Sequence, residues 1–131
     1  MYAEILNGQI THYRGDTLST PIKIFEGDKL SPIPYYLSEN DTLYLGIMEP
    51  GQAFEDAIVK KVYTKDSSKD NEGNILFELK TTDTEYLLPG KYYYTVKLKK
   101  QSEDNIIIET ILKPTLFNIL GNVPQQNWGL K

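Results

Sequence analysis

The sequence predicts an all-β domain, a sandwich of about seven antiparallel strands, from three observations. Short runs of alternating apolar and polar residues recur at intervals of roughly 10–18 residues, with turn residues between them. No stretch shows the apolar spacing of an amphipathic helix over about ten positions or more. Ten tyrosines occur among 131 residues, and aromatic and β-branched residues favour strands. A chain of this length is expected to form one domain.

The first two strands are predicted at residues 9–13 and 17–25. The turn Arg14-Gly15-Asp16 separates them, because glycine tolerates a positive φ and aspartate binds nearby amides. Pro21 lies inside the second run and removes a ladder donor, which indicates an edge position or a bulge. The residues of this run that share one face are Leu18, Thr20, Ile22 and Ile24.

The middle of the chain is less regular. Prolines prevent a regular ladder over residues 32–40. The strand predicted at residues 42–48 alternates clearly, whereas the one at residues 57–64 loses its alternation near Lys60 and Lys61, which indicates a bulge or an edge strand. The inward residues of the regular strand are Leu43, Leu45 and Ile47.

A further strand is predicted at residues 74–79, followed by one helical turn. Thr82 and Glu85 have the spacing of a capping box, and the turn residues Pro89-Gly90 follow too soon for a longer helix. The inward residues of the strand are Ile75, Phe77 and Leu79.

The last two strands are the longest. The run at residues 91–99 alternates most regularly, and the final strand spans residues 106–112 and 115–120 with a break at Pro114. The inward residues of the first run are Tyr92, Tyr94, Val96 and Leu98, and the outward residues are Tyr93, Thr95, Lys97 and Lys99.

The start of the run at residues 91–99 predicts the kind of sandwich. In immunoglobulin-like sandwiches a tyrosine near the start of the sixth strand bonds back to upstream backbone. Tyr92 or Tyr94 is placed to make that corner, after the turn formed by Pro89-Gly90. The fold predicted for residues 1–121 is therefore an immunoglobulin-like antiparallel β-sandwich.

Composition excludes several classes of protein. The net charge is -4 and the sequence contains no cysteine, so we expect no disulfide framework and no thiolate site. The basic residues form no stripe that would follow nucleic-acid phosphates. No apolar run approaches the roughly 18–20 residues that cross a bilayer, and the first eight residues lack the features of a secretory signal. We therefore expect a soluble domain that binds neither nucleic acid nor membrane.

The sequence offers no catalytic constellation, so we expect no catalytic residues, no metal site and no cofactor. The single histidine, His12, lies within a predicted strand, and one histidine without partners builds neither a charge-relay triad nor a histidine-rich metal site. The acidic pairs Glu55-Asp56 and Glu103-Asp104 lie side by side in loops, where solubility is the simpler explanation. The chain is predicted not to be an enzyme.

Two binding functions remain as alternatives. A carbohydrate-binding module would stack sugar rings on exposed aromatic side chains, and a row of exposed rings would support it. Arg14-Gly15-Asp16 spells a cell-adhesion tripeptide, which raises a host-surface adhesion domain, but three residues are a weak signal and a tight turn between two strands is the preferred explanation. The candidates for glycan stacking are Tyr35, Tyr36, Tyr44 and Tyr93.

Residues 122–131 are predicted to form a polar C-terminal tail outside the sandwich. This tail contains the only tryptophan, Trp128, and tryptophan is enriched at the anchors of protein interfaces. Trp128 either folds back on its own sandwich or, together with Asn127 and Pro124, contacts a partner. An exposed edge strand that offers backbone groups for pairing is the second expected contact.

The order of short motifs resembles the small β-sandwich domains of tailed-bacteriophage virion proteins, and in particular the N-terminal domain of phage baseplate upper proteins. The similarity covers residues 10–120. The motifs that carry it are Arg14-Gly15-Asp16-Thr17, Tyr36-Leu37 before Asp41, Gly73 before the Phe77 strand, Asp83-Thr84 with Leu88-Pro89-Gly90-Lys91-Tyr92, and Pro114-Thr115 before Phe117.

This resemblance implies a structural protein of a phage or prophage particle, in the tail, baseplate, neck or capsid surface. Its partners would be other virion proteins or copies of itself in a multimeric assembly. Such a protein is assembled in the cytoplasm of the bacterial host and located in the virion.

Overall fold

The computed structural model describes residues 1–121, and these residues form an all-β fold of two sheets. Seven strands were expected, and nine are present, because two short strands escape prediction. The strands are β1 (Tyr2–Glu4), β2 (Ile10–Tyr13), β3 (Leu18–Glu26), β4 (Ile33–Pro34), β5 (Asp41–Met48), β6 (Val59–Tyr63), β7 (Ile75–Leu79), β8 (Gly90–Ser102) and β9 (Asn105–Leu120). A 3-10 turn at Phe54–Asp56 and the helical turn α1 (Thr81–Thr84) complete the described elements.

The smaller sheet is built around β3. Strand β3 pairs antiparallel with β1, β4 and β7. Pro21 pairs with Leu76 of β7, while the pairing with β1 begins only at Lys23. This part of β3 therefore has a partner on one side only, which agrees with the edge position predicted from the proline.

The larger sheet has the order β2-β9-β8-β5-β6. All its pairs are antiparallel except β2 with β9, which run parallel from Ile10 and Phe117 to Tyr13 and Leu120. The N-terminal segment therefore crosses between the sheets, with β1 in one and β2 in the other. A turn makes this crossing, in which Leu6 and Gly8 both have positive φ.

One apolar core fills the space between the two sheets, and period-two alternation generates it. The smaller sheet contributes Ile22, Ile24, Ile75, Phe77 and Leu79, and the larger sheet contributes Leu43, Leu45, Ile47, Tyr94 and Phe117 among others. In the strands predicted at residues 42–48, 74–79 and 91–99, every residue predicted to face inward is buried.

Thr95 was predicted to face outward and is buried. It lies opposite Gly46 of β5, where the side chains of Phe54 and Ala57 cover the outer face of the sheet. The hydroxyl of Thr95 donates a hydrogen bond of 2.8 Å to the backbone oxygen of Leu112, so the buried polar group is satisfied.

Three further expectations require correction. Strand β9 continues through Pro114 without a break, and the irregularity appears as the register shift with β8. Strand β4 lies in the segment where prolines were expected to prevent pairing, because two residues suffice to join the edge of β3. The helical turn exists, but Asp83 rather than Glu85 closes it, by accepting a hydrogen bond of 2.7 Å from the Lys80 N–H.

The loop before β8 is tied to the turn between β2 and β3. The hydroxyl of Tyr92 donates a 2.6 Å hydrogen bond to the backbone oxygen of Leu88. Arg14 donates to the Leu87 carbonyl at 3.2 Å, and the Gly15 N–H donates to the buried hydroxyl of Thr84 at 2.9 Å. We call this set of contacts the corner.

No helix of the described residues is long and apolar enough to cross a membrane.

Candidate interaction surface

The hairpin of β8 and β9 ends in an exposed tip. Ser102 and Asn105 close a two-residue turn made of Glu103 and Asp104. All residues from Asn105 to Thr110 are exposed, whereas Ile111, Phe117 and Ile119 farther along β9 are buried in the core. The tip therefore extends the larger sheet beyond the part that the smaller sheet covers.

Three consecutive isoleucines lie on this tip. Ile106, Ile107 and Ile108 are 59%, 59% and 61% exposed. Since neighbouring residues of a strand point to opposite faces, both faces of the tip are apolar. Contiguous exposed apolar surface of this kind marks contact sites on proteins.

Among residues 1–121, no strand pairs with the outer edge of β9 at Asn105 to Ile108, although β1 contacts another part of β9. Strand β2 pairs with β9 only from Phe117 onward, and the amino terminus of Met1 reaches Glu109 at 3.4 Å. The backbone of Asn105 to Ile108 is therefore an open strand edge. Such edges present unpaired N–H and C=O groups to other chains. We call this segment, with its three isoleucines, the open edge.

The opposite end of the sheet is protected. Strand β6 is the last strand there and carries Lys60 and Lys61, near which the lost alternation indicated a bulge or an edge strand. Its register with β5 is unbroken, so the edge position alone explains the lost alternation. Lysines on an edge discourage pairing with another strand, and the open edge carries none between Asn105 and Thr110.

A shallow apolar groove lies on the outer face of the same sheet. Its volume is about 280 Å³, and Tyr44, Gly46, Phe54 and Val62 contribute to its walls. The ammonium of Lys97 lies 4.8 Å from the ring centre of Phe54. Gly46 allows this packing, because a Cβ there would lie 3.0 Å from the Phe54 ring.

A more polar cleft of about 680 Å³ separates β6 from β3 and β7. Tyr63 lines it, its hydroxyl makes no hydrogen bond within the described chain, and burial raises its pKa. The charged residues that line the cleft are Lys61, Lys80 and Glu78. Lys61 forms an ion pair of 2.8 Å with Asp83. Both signs of charge meet in this cleft, so it favours no single class of ligand.

The four tyrosines proposed for glycan stacking do not form one exposed row. Only Tyr36 is more than half exposed, at 54%, and the other three are half-buried. Tyr35 donates its hydroxyl hydrogen to the buried Asp41, and Lys100 covers its ring at 4.7 Å. Burial and this hydrogen bond to Asp41 raise the pKa of Tyr35 to about 12. Tyr44 and Tyr93 lie on different strands, several pairs apart.

The other predicted site residues divide into two groups. Trp128, Asn127 and Pro124 lie outside the described residues. Arg14-Gly15-Asp16 belongs to the corner, where Gly15 has a φ of +83° and Arg14 binds the Leu87 carbonyl. These contacts give the tripeptide a structural role in the fold.

His12 also has a structural role. It is buried, and its Nε2 lies 3.0 Å from the backbone oxygen of Asp16, to which it donates. Its ring lies 5.9 Å from that of Phe117. Among residues 1–121, no group of three or more His, Cys, Asp or Glu is placed to hold a metal ion.

The open edge was not identified from the sequence, although a signal was present. Three successive β-branched residues after a Glu-Asp-Asn turn cannot all face one core, since a strand alternates. Such a run is therefore either buried on both faces or leaves at least one isoleucine exposed.

A scan of protein-family models finds no match to the chain, and a search of curated proteins also finds none.

Proposed function

We propose that this chain is a non-enzymatic structural part of a tailed-phage or prophage virion and acts through protein–protein contacts. The observation that carries the contact function is the open edge, with three exposed isoleucines on an unpaired strand. Surfaces of this kind bind other chains by adding a strand to the sheet.

We assign the sandwich to the immunoglobulin-like type, and two features support this. The order β9-β8-β5-β6 corresponds to the G-F-C-C′ order of the larger sheet in variable-type domains. Tyr92 lies near the start of β8 and bonds to backbone four residues upstream, as the tyrosine of such a corner does. Tyr92 rather than Tyr94 makes this bond, since the Tyr94 hydroxyl donates to the backbone oxygen of Gly8.

The virion assignment derives from the resemblance of the sequence motifs. In the fold, two of those motifs contact each other, since the Gly15 N–H donates to the hydroxyl of Thr84. The particle itself is inferred from the family that the motifs resemble.

Mass spectrometry of purified particles tests this function. Particles produced by the bacterium that carries the gene would be purified on a density gradient and their proteins quantified. We expect this chain to co-purify in a fixed ratio to the major capsid protein, while an abundant cytosolic protein of the host is removed. Particles that are infectious and lack the chain would refute a virion role.

A further inference from the structure

We propose that the open edge pairs with the open edge of a second copy of this chain, antiparallel, with Ile107 facing Ile107. This joins two larger sheets into one continuous sheet across a two-fold axis. The proposal rests on the contact function proposed above and names its partner.

The hairpin turn determines which backbone groups are available. A two-residue turn closes with a pair that exchanges both backbone hydrogen bonds, which here is Ser102 with Asn105. Because bonded and non-bonded pairs alternate along antiparallel strands, the groups of Ile107 point toward β8. Those of Ile106 and Ile108 point away from it, so the open edge offers two N–H and two C=O groups to a neighbour.

A two-fold axis through Ile107 matches these groups. Ile106 of one copy then lies opposite Ile108 of the other, twice, and all four outward-pointing residues form hydrogen-bonded pairs. Each isoleucine faces an isoleucine on both faces of the joined sheet. An isologous contact of this kind uses the same patch on both copies, as most homodimers do.

The charges favour this register over its neighbours. Centring the axis on Ile107 places Glu109, whose carboxylate pairs with the Met1 ammonium at 3.4 Å, opposite the neutral Asn105. An axis at Ile108 would set Glu109 against Ile107, and an axis at Glu109 would set two carboxylates directly opposite, which is destabilising. An axis at Ile106 would set Ile108 against Asp104. Only the Ile107 register pairs all three isoleucines with isoleucines.

The contact is small. About five residues of each strand take part. A stable interface buries roughly 800 Å² and about 20–30 residues on each partner. We therefore expect a weak dimer in dilute solution. In an assembly that holds many copies side by side, linked contacts of this size add to a strong one.

The absence of cysteine from the sequence makes cross-linking a direct test on the full chain. Residues at the centre of a non-bonded antiparallel pair have Cα atoms about 4.5 Å apart, within the range that disulfides span. The variant Ile107→Cys should form a disulfide-linked dimer under mild oxidation. Val62→Cys is the matched control, since Val62 is also 59% exposed and lies on the protected edge β6.

We expect Ile107→Cys to cross-link several-fold faster than Val62→Cys, with both variants folded by circular dichroism. Equal or slower cross-linking of Ile107→Cys would overturn the proposal. In a mixture of Ile106→Cys and Ile108→Cys, the heterodimer should exceed the statistical share, and a statistical mixture would refute the register. Because these positions are exposed, loss of folding is not expected.

A second measurement does not require an engineered disulfide bond. Sedimentation equilibrium at high concentration should show self-association of the wild-type chain, retained by Val62→Lys and lost by Ile107→Lys. Association that survives Ile107→Lys would place the contact elsewhere. These results are independent of the particle experiment, so a chain found in virions without edge cross-linking would refute only this inference.

Discussion

The hydroxyl of Tyr92 offers the sharpest test of the corner. In Tyr92→Phe only this oxygen is lost, while the ring, 6% exposed in the wild type, keeps its packing. The lost hydrogen bond is 2.6 Å long and ends at the carbonyl of Leu88, an exposed residue. Water can solvate that carbonyl, so we expect a cost of about 1–1.5 kcal/mol, the net value of an ordinary hydrogen bond. For a domain of this size, that lowers Tm by roughly 3–7 °C.

Thermal and urea unfolding followed by circular dichroism measure this effect. Tyr93→Phe is the control, because Tyr93 is half-buried and its hydroxyl makes no hydrogen bond within residues 1–121. We expect it to change the free energy of unfolding by less than about 0.5 kcal/mol. A Tyr92→Phe protein as stable as the wild type would show that the corner contributes nothing. Equal losses in the two variants would attribute the effect to phenol hydration rather than to the corner.

Three other predictions concern stability. Gly46→Ala should cost about 1–3 kcal/mol in urea unfolding, because the new Cβ lies 3.0 Å from the Phe54 ring, and adding Phe54→Leu should recover part of it. Burial would raise the pKa of Asp83, but the hydrogen bond from Lys61 and a backbone N–H outweigh it and hold this pKa below 3.8. The contribution of Asp83 to stability is therefore present above pH 3.8 and is lost as the pH falls through the pKa of the folded state. Asp83→Asn should make the free energy of unfolding depend less on pH in the acid range. Burial raises the pKa of Tyr94 to about 12 from 10.0. The contribution of Tyr94 to the free energy of unfolding is therefore complete below pH 10 and is lost as the pH rises toward 12. Tyr94→Phe should weaken this loss of stability, measured by urea unfolding across this pH range.

The sequence predicted the larger part of the core because alternation is a property of the strand itself. Leu43, Leu45 and Ile47 alternate with polar neighbours and are all buried. Thr95 departs from the rule, because Phe54 and Ala57 cover the outer face of the sheet beside its partner Gly46. An alternating pattern thus predicts exposure only where no other segment covers the outer face.

The two missed strands escaped prediction for a different reason, which is that they are short. Tyr2–Glu4 and Ile33–Pro34 contain three and two residues, too few to show a period. Their pairing with β3 is determined by how the chain crosses the sandwich, which is information that three residues do not contain. The open edge escaped for a related reason, since exposure of Ile106 to Ile108 depends on where the smaller sheet ends.

The arrangement separates the part of the domain that provides stability from the part proposed for contact. The corner lies at Gly90, where β8 begins, and the open edge lies beyond Ser102, where it ends. Thirteen strand residues place them roughly 40 Å apart, far beyond the distance over which substitutions usually couple. Because every residue from Asn105 to Thr110 is exposed, the open edge can change its partner without repacking the core. The protection of β6 by lysines, in the same sheet, argues that the apolar edge is retained for a use, since the simplest defence against unwanted pairing is present at one edge and absent at the other.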